Sequence, residues 1–405
     1  MKRKILLGFF ALCAVGSASA QGLYYLGTEA QESIPLKWVV GANVVFDDNV
    51  SPGIGAKESS VGFNPSVALT FVSISPQTTW DVYASLGLIY YLDAPETMDS
   101  LNPQMRTGVN LTHRFTERLR FSSRNFISYE LEPDYSAGYA SSRQTGAYLL
   151  WQTDNSIGFR WTERFATYTG FKLTSTSYAD VDNNDRFTWE LYQQLRYQLS
   201  PQSVLTADYR YSETTGNGAF SNANDHFILA GLEHRFSPNT VGIVRAGVQL
   251  HSVDGGDSSA SPYVEFALNS QINQNFSVRS YARYGIETYN NMQYLPLPIG
   301  MVEFDDQRVL RFGLSAEYAI SPTFSIFGGV DYIPTSFAGG RAINVPGLTV
   351  ADQSSEIISA YLGLSMKFND YLTGTISYSF TTADSDFLGG TYDRNRISIG
   401  LSSAF

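Results

Sequence analysis

Cysteine is almost missing from this chain. The single one, Cys13, lies inside a segment with the features of an export signal. The mature chain therefore has no thiol, which excludes disulfides, thiol catalysis and cysteine-ligated metals. Long apolar runs are missing too. The one at Ile5–Val15 is too short to span a bilayer, which takes about 20 residues, and no second run approaches that length. Positive charge is scarce: 27 basic residues face 38 acidic ones, a net charge of −11. Nucleic-acid binding needs a basic surface, so that class is excluded as well. Histidine is down to His113, His226, His234 and His251. The Ser, His and Asp residues are too scattered to select a catalytic triad, and no glycine-rich phosphate loop joins a strand to a helix. The expectation is a chain that is not an enzyme and carries no cofactor.

What is present begins at the N-terminus. Lys2, Arg3 and Lys4 precede the apolar run, and Ala18-Ser19-Ala20 follows it. A basic start, a short apolar stretch and a small-x-small site make a secretory signal peptide over 1–20, cut before Gln21. The mature chain then holds 24 basic against 38 acidic residues, a net of −14.

Aromatic residues reach 14%, with 26 Tyr and 26 Phe, in a chain whose mean hydropathy is only −0.14. Alternation explains how an exported chain can be apolar without looking it. Ile397, Ile399, Leu401, Ser403 and Phe405 fall on one face of the last segment, while Arg396, Ser398, Gly400, Ser402 and Ala404 fall on the other. Successive side chains of a strand point to opposite faces, so this is a strand with one apolar side. The same pattern recurs in Met105–Phe115, Trp189–Leu199, Asp225–Phe236 and Leu310–Ile320.

Short turns punctuate the strands: 75–78, 116–118, 162–164, 200–203, 237–240, 273–275, 321–323 and 369–370, all rich in Ser, Thr, Asn or Pro. These residues form turns for local hydrogen-bonding and φ reasons. Longer polar segments alternate with them, including Asn291–Asp306 and Pro334–Ser354. Short turns at one end and long loops at the other is the layout of an outer-membrane barrel. Eight turns give sixteen strands, and a first strand at Leu36–Phe46 and a last at Tyr392–Phe405 bring the total to eighteen, with sixteen as the alternative. The predicted fold is therefore all-β: a transmembrane antiparallel up-and-down barrel over 36–405, after a short periplasmic segment at 21–35. A soluble sandwich has the same period with its apolar face inward, and aromatic placement separates the two. Phe115, Phe236, Phe324, Phe368 and Phe405 stand beside the short turns. Tyr90, Tyr91, Tyr129, Tyr178, Tyr211, Tyr289, Tyr332 and Phe380 stand near the loops. Two belts of rings are what two membrane interfaces favour.

A barrel of this size leaves an aqueous lumen. The face opposite the apolar one is rich in arginine: Arg106, Arg114, Arg120, Arg124, Arg160, Arg196, Arg210, Arg235, Arg245, Arg279, Arg283 and Arg311. Its acids are Asp81, Glu190, Asp208, Glu233, Glu265, Glu317 and Asp331. Rows of arginine favour anions in selective pores, whereas arginine–acid pairs on neighbouring strands merely hydrate a wall. For any single arginine the pairing role outweighs the selective one, and the summed excess leaves a weak anion preference. Asp47 and Asp48, together with Asp305-Asp306, are read as loop charge. Arg341, in the Pro334–Ser354 segment, is the constriction-loop candidate. His113 and His234, in matching Leu-x-His-Arg-Phe contexts, fall on the lipid side.

The segment Val44-Val45-Phe46-Asp47-Asp48-Asn49-Val50 resembles the aromatic-Asp-Asp-Asn-Val opening of β-barrel porins related to exopolysaccharide-export barrels. The resemblance implies an outer-membrane barrel, sometimes tied to polysaccharide traffic, and supplies no catalytic residue. The function expected is passive diffusion of small hydrophilic solutes through an outer-membrane channel. Two alternatives stay open: a component of surface-polysaccharide export, and a structural or adhesive barrel without conductance. The partners expected are outer-membrane lipid and lipopolysaccharide, the barrel-insertion machinery acting on the C-terminal strand, and the solutes themselves. Oligomerisation stays open.

Overall fold

The computed structural model describes residues 33–405 apart from 53–56, 97, 135–145, 180–184, 218–221, 257, 289–291, 344 and 346. The predicted signal peptide, most of the 21–35 segment and Tyr289 lie outside the described residues. In chain order the strands are β1 (Ile34–Asp47), β2 (Ser60–Ile74), β3 (Thr78–Tyr91), β4 (Leu101–Arg114), β5 (Leu119–Glu130), β6 (Tyr148–Arg160) and β7 (Phe165–Tyr178). They continue as β8 (Arg186–Ser200), β9 (Ser203–Gly216), β10 (Ala223–Ser237), β11 (Thr240–Val253), β12 (Ser258–Gln271) and β13 (Phe276–Ile286). The last are β14 (Met292–Leu295), β15 (Gly300–Ser321), β16 (Phe324–Ala342), β17 (Thr349–Val350), β18 (Gln353–Lys367), β19 (Leu372–Ser385) and β20 (Tyr392–Ala404).

Eighteen of these form one closed antiparallel barrel. The short β14 and β17 are additions that pair with β15 and β16 outside the ring. Closure runs from Val39↔Ala404 to Asp47↔Arg396. Phe405 carries the ladder one step further, because its N–H donates to Trp38 O (2.8 Å) and Trp38 N–H donates back to Phe405 O (3.1 Å). Among the described residues, the ring of eighteen strands leaves no edge open, which a bilayer requires because it offers no water to unpaired backbone groups.

The short turns share one local device. A side-chain oxygen accepts the N–H of a residue two or three further on: Ser75 from Thr78, Thr116 from Arg118 and Leu119, Thr162 from Arg164 and Phe165, Asn273 from Asn275, and Asn369 from Tyr371 and Leu372. Such side-chain turns bend the chain within a few residues. That is why one end of the barrel is flat.

The apolar face points outward. Leu101, Ile157, Leu191, Ile228, Leu362 and Leu401 are exposed along the strands, and Phe115, Trp161, Phe236, Phe368 and Phe405 are exposed beside the short turns. Phe324 is half-buried on the same outer face, opposite exposed Met366. In water such a surface is unstable, and in lipid it is the requirement. Two of the predicted loop-side rings are placed differently. Tyr91 and Tyr178 point inward and are buried, Tyr91 against Val50 and Ile89, Tyr178 against Phe126, Tyr148 and Leu150. Strand alternation forces this for Tyr91, since its neighbour Tyr90 already faces out. In place of a single core, small apolar clusters sit inside the loop-side mouth. One of them, Val309, Ile333, Ile357, Ala383 and Tyr392, coats the wall from β15 to β20.

The segments 291–306 and 334–354 are not the loops the sequence predicts. β15 and β16 continue past the ends of their neighbours as a paired ribbon, with Glu303↔Arg341 and Val302↔Ala342 in register. Asp305 and Asp306 therefore belong to a strand. The apolar residues that made these segments unlike ordinary loops pack together: Leu295, Val302, Phe304, Phe337 and Phe387 form a buried cluster above the wall.

Candidate functional site

Register carries the inward face from strand to strand. Arg106 and Arg114 of β4, Arg120 and Arg124 of β5, and Glu190 and Arg196 of β8 all alternate with residues of the outer face. So do Arg210 of β9, Glu233 and Arg235 of β10, Arg245 of β11, Arg279 and Arg283 of β13, and Arg311 and Glu317 of β15. Because side chains on adjacent strands meet at the same level, pairs on this face come together.

Several do. Arg106 pairs with Glu130 at 2.6 Å, and Arg196 with Glu233 at 2.8 Å. Arg210 reaches over two strands to Glu265 at 3.1 Å. Arg245, only 1% exposed, lies between Asp208 and Glu265 at 3.5 Å from each. Tyr263 donates to Glu265, and Gln194 to Asp208. Arg283 and Arg311 both bind Glu287 just beyond the end of β13. The outcome is a polar layer spread over the β8–β15 wall, fronting a cleft of about 160 Å³. Glu190 stands in register with Lys172, and Arg279 with Asn269 and Ser315. Glu317 faces Ser277 and Phe327. Arg114 and Arg120 oppose each other directly.

Glycines opposite tyrosines complete the wall. Tyr83 lies over Gly108, Tyr168 over Gly158, Tyr192 over Gly170, Tyr281 over Gly313 and Tyr361 over Gly329, each the register partner on a neighbouring strand. A Cβ built on Gly313 comes within 2.1 Å of the Tyr281 ring. Glycine in a strand marks a close approach, and here the thing approaching is a flat ring. Laid on the wall, two of the rings reach partners through their hydroxyls: Tyr281 donates to Asp331 (2.6 Å) and Tyr192 to Asp154 (2.8 Å).

Three groups escaped the sequence reading. Arg394 alternates inward on β20 beside Arg396, whose facing the alternation of the last strand already gives. Asp47, read as loop charge, is buried at the barrel seam. It accepts from Arg394, lies 3.3 Å from Arg396, and still caps its own turn by accepting Asn49 N–H. An aspartate that satisfies two arginines has little left for a metal cation. Glu132 is the third. Leaving β5, it pairs at 2.9 Å with both Arg394 and Arg396 on β20, a strand separated from β5 along the wall by β1 to β4. Glu132 thus lies inside the barrel, against the far wall. Strand alternation revealed Arg396, but no local signal marks Glu132, since the contact is 262 residues distant from Arg394. The constriction candidate Arg341 sits on the β15–β16 ribbon, donating to Gly255 O (2.9 Å) and Asp305 Oδ1 (2.7 Å).

Two carboxylates beyond the membrane-spanning strands are shifted. Burial opposes ionisation of Glu287, yet the Arg311 and Arg283 guanidiniums hold it at about 2. Desolvation also opposes ionisation of Asp48, and it is outweighed by hydrogen bonds from Asn395 and Lys57 that keep its carboxyl below the usual range. His113 and His234 occupy equivalent places on the outer face. Each bonds through Nδ1 to a hydroxyl, Thr78 and Ser203 respectively, at 2.8 Å, and each lies edge-on to a Phe two residues later, with centroids 4.6 Å apart.

A closed ring of strands, apolar outside and charged inside, with rings at both rims, decides the class. This is the architecture of a membrane-spanning β-barrel of eighteen strands. No protein-family model matches the chain, and no curated protein does. Among solved structures the barrel is similar to a BenF-like porin from Pseudomonas fluorescens Pf-5, with a TM-score of 0.48 and 11% identity over 93% of this chain and 99% of that one. It is similar to OccAB4 from Acinetobacter baumannii, with a TM-score of 0.43 and 13% identity over 92% and 99%. It is also similar to the siderophore receptor PirA from Pseudomonas aeruginosa, with a TM-score of 0.42 and 11% identity over 93% and 81%. None of these values carries a solute or a residue role across to this chain.

Proposed function

We propose that the barrel is a passive channel for small hydrophilic solutes with a weak anion preference. The observation that carries the reading is the inner wall, charged and polar over β4 to β13 in a ring of eighteen strands. A ring of that number leaves room for water inside. The preference is weak because most of the central arginines have an acid beside them: Glu130, Glu233, Glu265, Asp208 and Glu287 offset Arg106, Arg196, Arg210, Arg245, Arg283 and Arg311. A pore whose wall charges are mutually compensated discriminates little by sign.

Liposome swelling tests the channel itself. Vesicles holding the purified barrel should swell in isotonic arabinose or glucose, and vesicles that stay unswollen would favour a sealed export or surface role. Reversal potentials across a planar bilayer in a KCl gradient test the preference. A small shift toward the chloride potential is expected, and a clear shift toward potassium would overturn it.

A further inference from the structure

The charge of this barrel is divided between its two ends, and four arginines stand together at the short-turn end. Arg114 closes β4 and Arg120 opens β5, and the two are direct register partners on the inner face. Arg118 lies in the turn between them, where the Thr116 hydroxyl accepts its N–H at 3.1 Å. Arg160 ends β6 and donates its backbone N–H to Arg118 O at 2.9 Å. All four line one cleft of about 770 Å³ at the rim, together with Tyr168 and the acid Glu117. Arg114, Arg118 and Arg160 are solvent-exposed there.

Like charges directly opposite each other on a sheet are destabilising. In the centre of this barrel arginines are interleaved with carboxylates, whereas here four positive side chains converge on three adjacent strands with one carboxylate lining the same cleft. Guanidinium forks match the oxygens of phosphate and carboxylate groups two at a time. The turn after β6 repeats the Thr-Glu-Arg chemistry: the Thr162 hydroxyl accepts Arg164 N–H, which sets a further arginine on the neighbouring turn. The opposite mouth carries Asp48, Glu58, Asp93, Asp254, Asp384 and Asp386, which outnumber its cations Lys57, paired with Asp48, and Arg341. Anions approaching from outside meet a repulsive field, and anions approaching from the periplasm meet an attractive one.

We infer that the rim cluster Arg114, Arg118, Arg120 and Arg160 is a binding site for multiply charged anions arriving from the periplasm. Phosphate-bearing and carboxylate-bearing ligands share the chemistry it recognises. The inference relies on the diffusion-channel reading for the route beyond the site, while binding at the rim stands independently of it.

The test is current block in planar bilayers holding the full mature barrel, with tripolyphosphate as the phosphate probe and citrate as the carboxylate probe. From the short-turn side, block is expected at about one-tenth of the concentration needed from the loop side. R118A/R120A is expected to raise the short-turn-side midpoint about tenfold, while R114K/R120K, which keeps the charge, retains most of the block. Tripolyphosphate acting alone assigns the site to phosphate esters, and citrate acting equally assigns it to polyanions in general. Equal block from both sides, or a midpoint unmoved in R118A/R120A, overturns the inference. If the barrel passes no current, calorimetry of the detergent-solubilised protein with tripolyphosphate separates the two readings. Binding heat abolished by R118A/R120A supports the site although the channel reading fails, and the absence of heat in the parent barrel overturns it. Heat-modified gel migration checks that each variant is folded.

Discussion

At the scale of the residue, the inner wall depends on what glycine leaves out. Gly313 has no Cβ because the Tyr281 ring occupies that volume, and the ring's hydroxyl is thereby aimed at Asp331. Gly313→Ala should displace the ring and break that hydrogen bond, costing about 1–3 kcal/mol as overpacking does. A lowered temperature for the loss of the compact gel form would show it. Adding Tyr281→Ala should remove most of the extra cost, and an unchanged transition in Gly313→Ala would reject the pairing. Glu287 supplies the second prediction at this scale. Its folded pKa of about 2 lies below the ordinary glutamate value of about 4.5. A depressed carboxylate stabilises the fold above its unfolded pKa and loses that contribution as pH falls through the folded one. The Arg283–Glu287–Arg311 cluster should therefore hold down to about pH 4.5 and weaken toward pH 2. Glu287→Gln should flatten stability across that window, and an unchanged acid profile would count against it. Arginine facing was legible because alternation alone sets it. The Tyr–Gly pairs were not, because they need the register between strands as well as the period within each.

At the scale of the element, strands and turns were legible and the paths of the long connections were not. Ser, Thr and Asn side chains close turns over a few residues, so 116–118 or 369–370 announce themselves locally. Glu132 is positioned instead by arginines on the last strand. The apolar content of 291–306 and 334–354 marked those segments as unusual, and its explanation, a cluster around Phe304 on a raised ribbon, depends on contacts among four separate segments. A functional difference follows. Glu132 ties the end of β5 to the far wall, whereas Arg341 fastens the ribbon to the β11–β12 connection at Gly255. Glu132→Gln should loosen the inner tether and raise single-channel conductance and open-state noise, while Arg341→Ala should change conductance less. Equal changes in the two variants would mean that Glu132 has no special hold on the lumen. Arg394 is the harder partner to lose. Its removal leaves Asp47 buried with only Arg396 beside it, and stripping a buried pair of one member costs about 3–5 kcal/mol, so Arg394→Ala should lower barrel stability more than Glu132→Gln does.

At the scale of the whole molecule, closure is what makes the chain a membrane protein. The final strand supplies one side of the seam, with β1 from Val39↔Ala404 to Asp47↔Arg396 and with β19 from Leu372↔Ser403 to Ala383↔Tyr392. It also carries Arg394, the seam's buried cation, and the exposed row Ile397, Ile399 and Leu401 that faces lipid. Removing 392–405 would leave two full edges of unpaired N–H and C=O groups, each costing several kcal/mol in a medium with no water. No rearrangement of the remaining strands repairs this cheaply, because re-pairing β1 with β19 narrows the ring and leaves Asp47 without Arg394 or Arg396. The truncated chain should therefore give no heat-modifiable form and no outer-membrane signal. Phe405→Ala is the graded version. Its backbone bonds to Trp38 remain possible with any side chain, so the ladder survives and only a rim anchor is lost. That variant should assemble more slowly yet reach the same compact form. A truncated chain that still yields a heat-modifiable barrel would show that the seam is dispensable. A Phe405→Ala chain that fails outright would show that the ring itself, more than the strand, is what assembly reads.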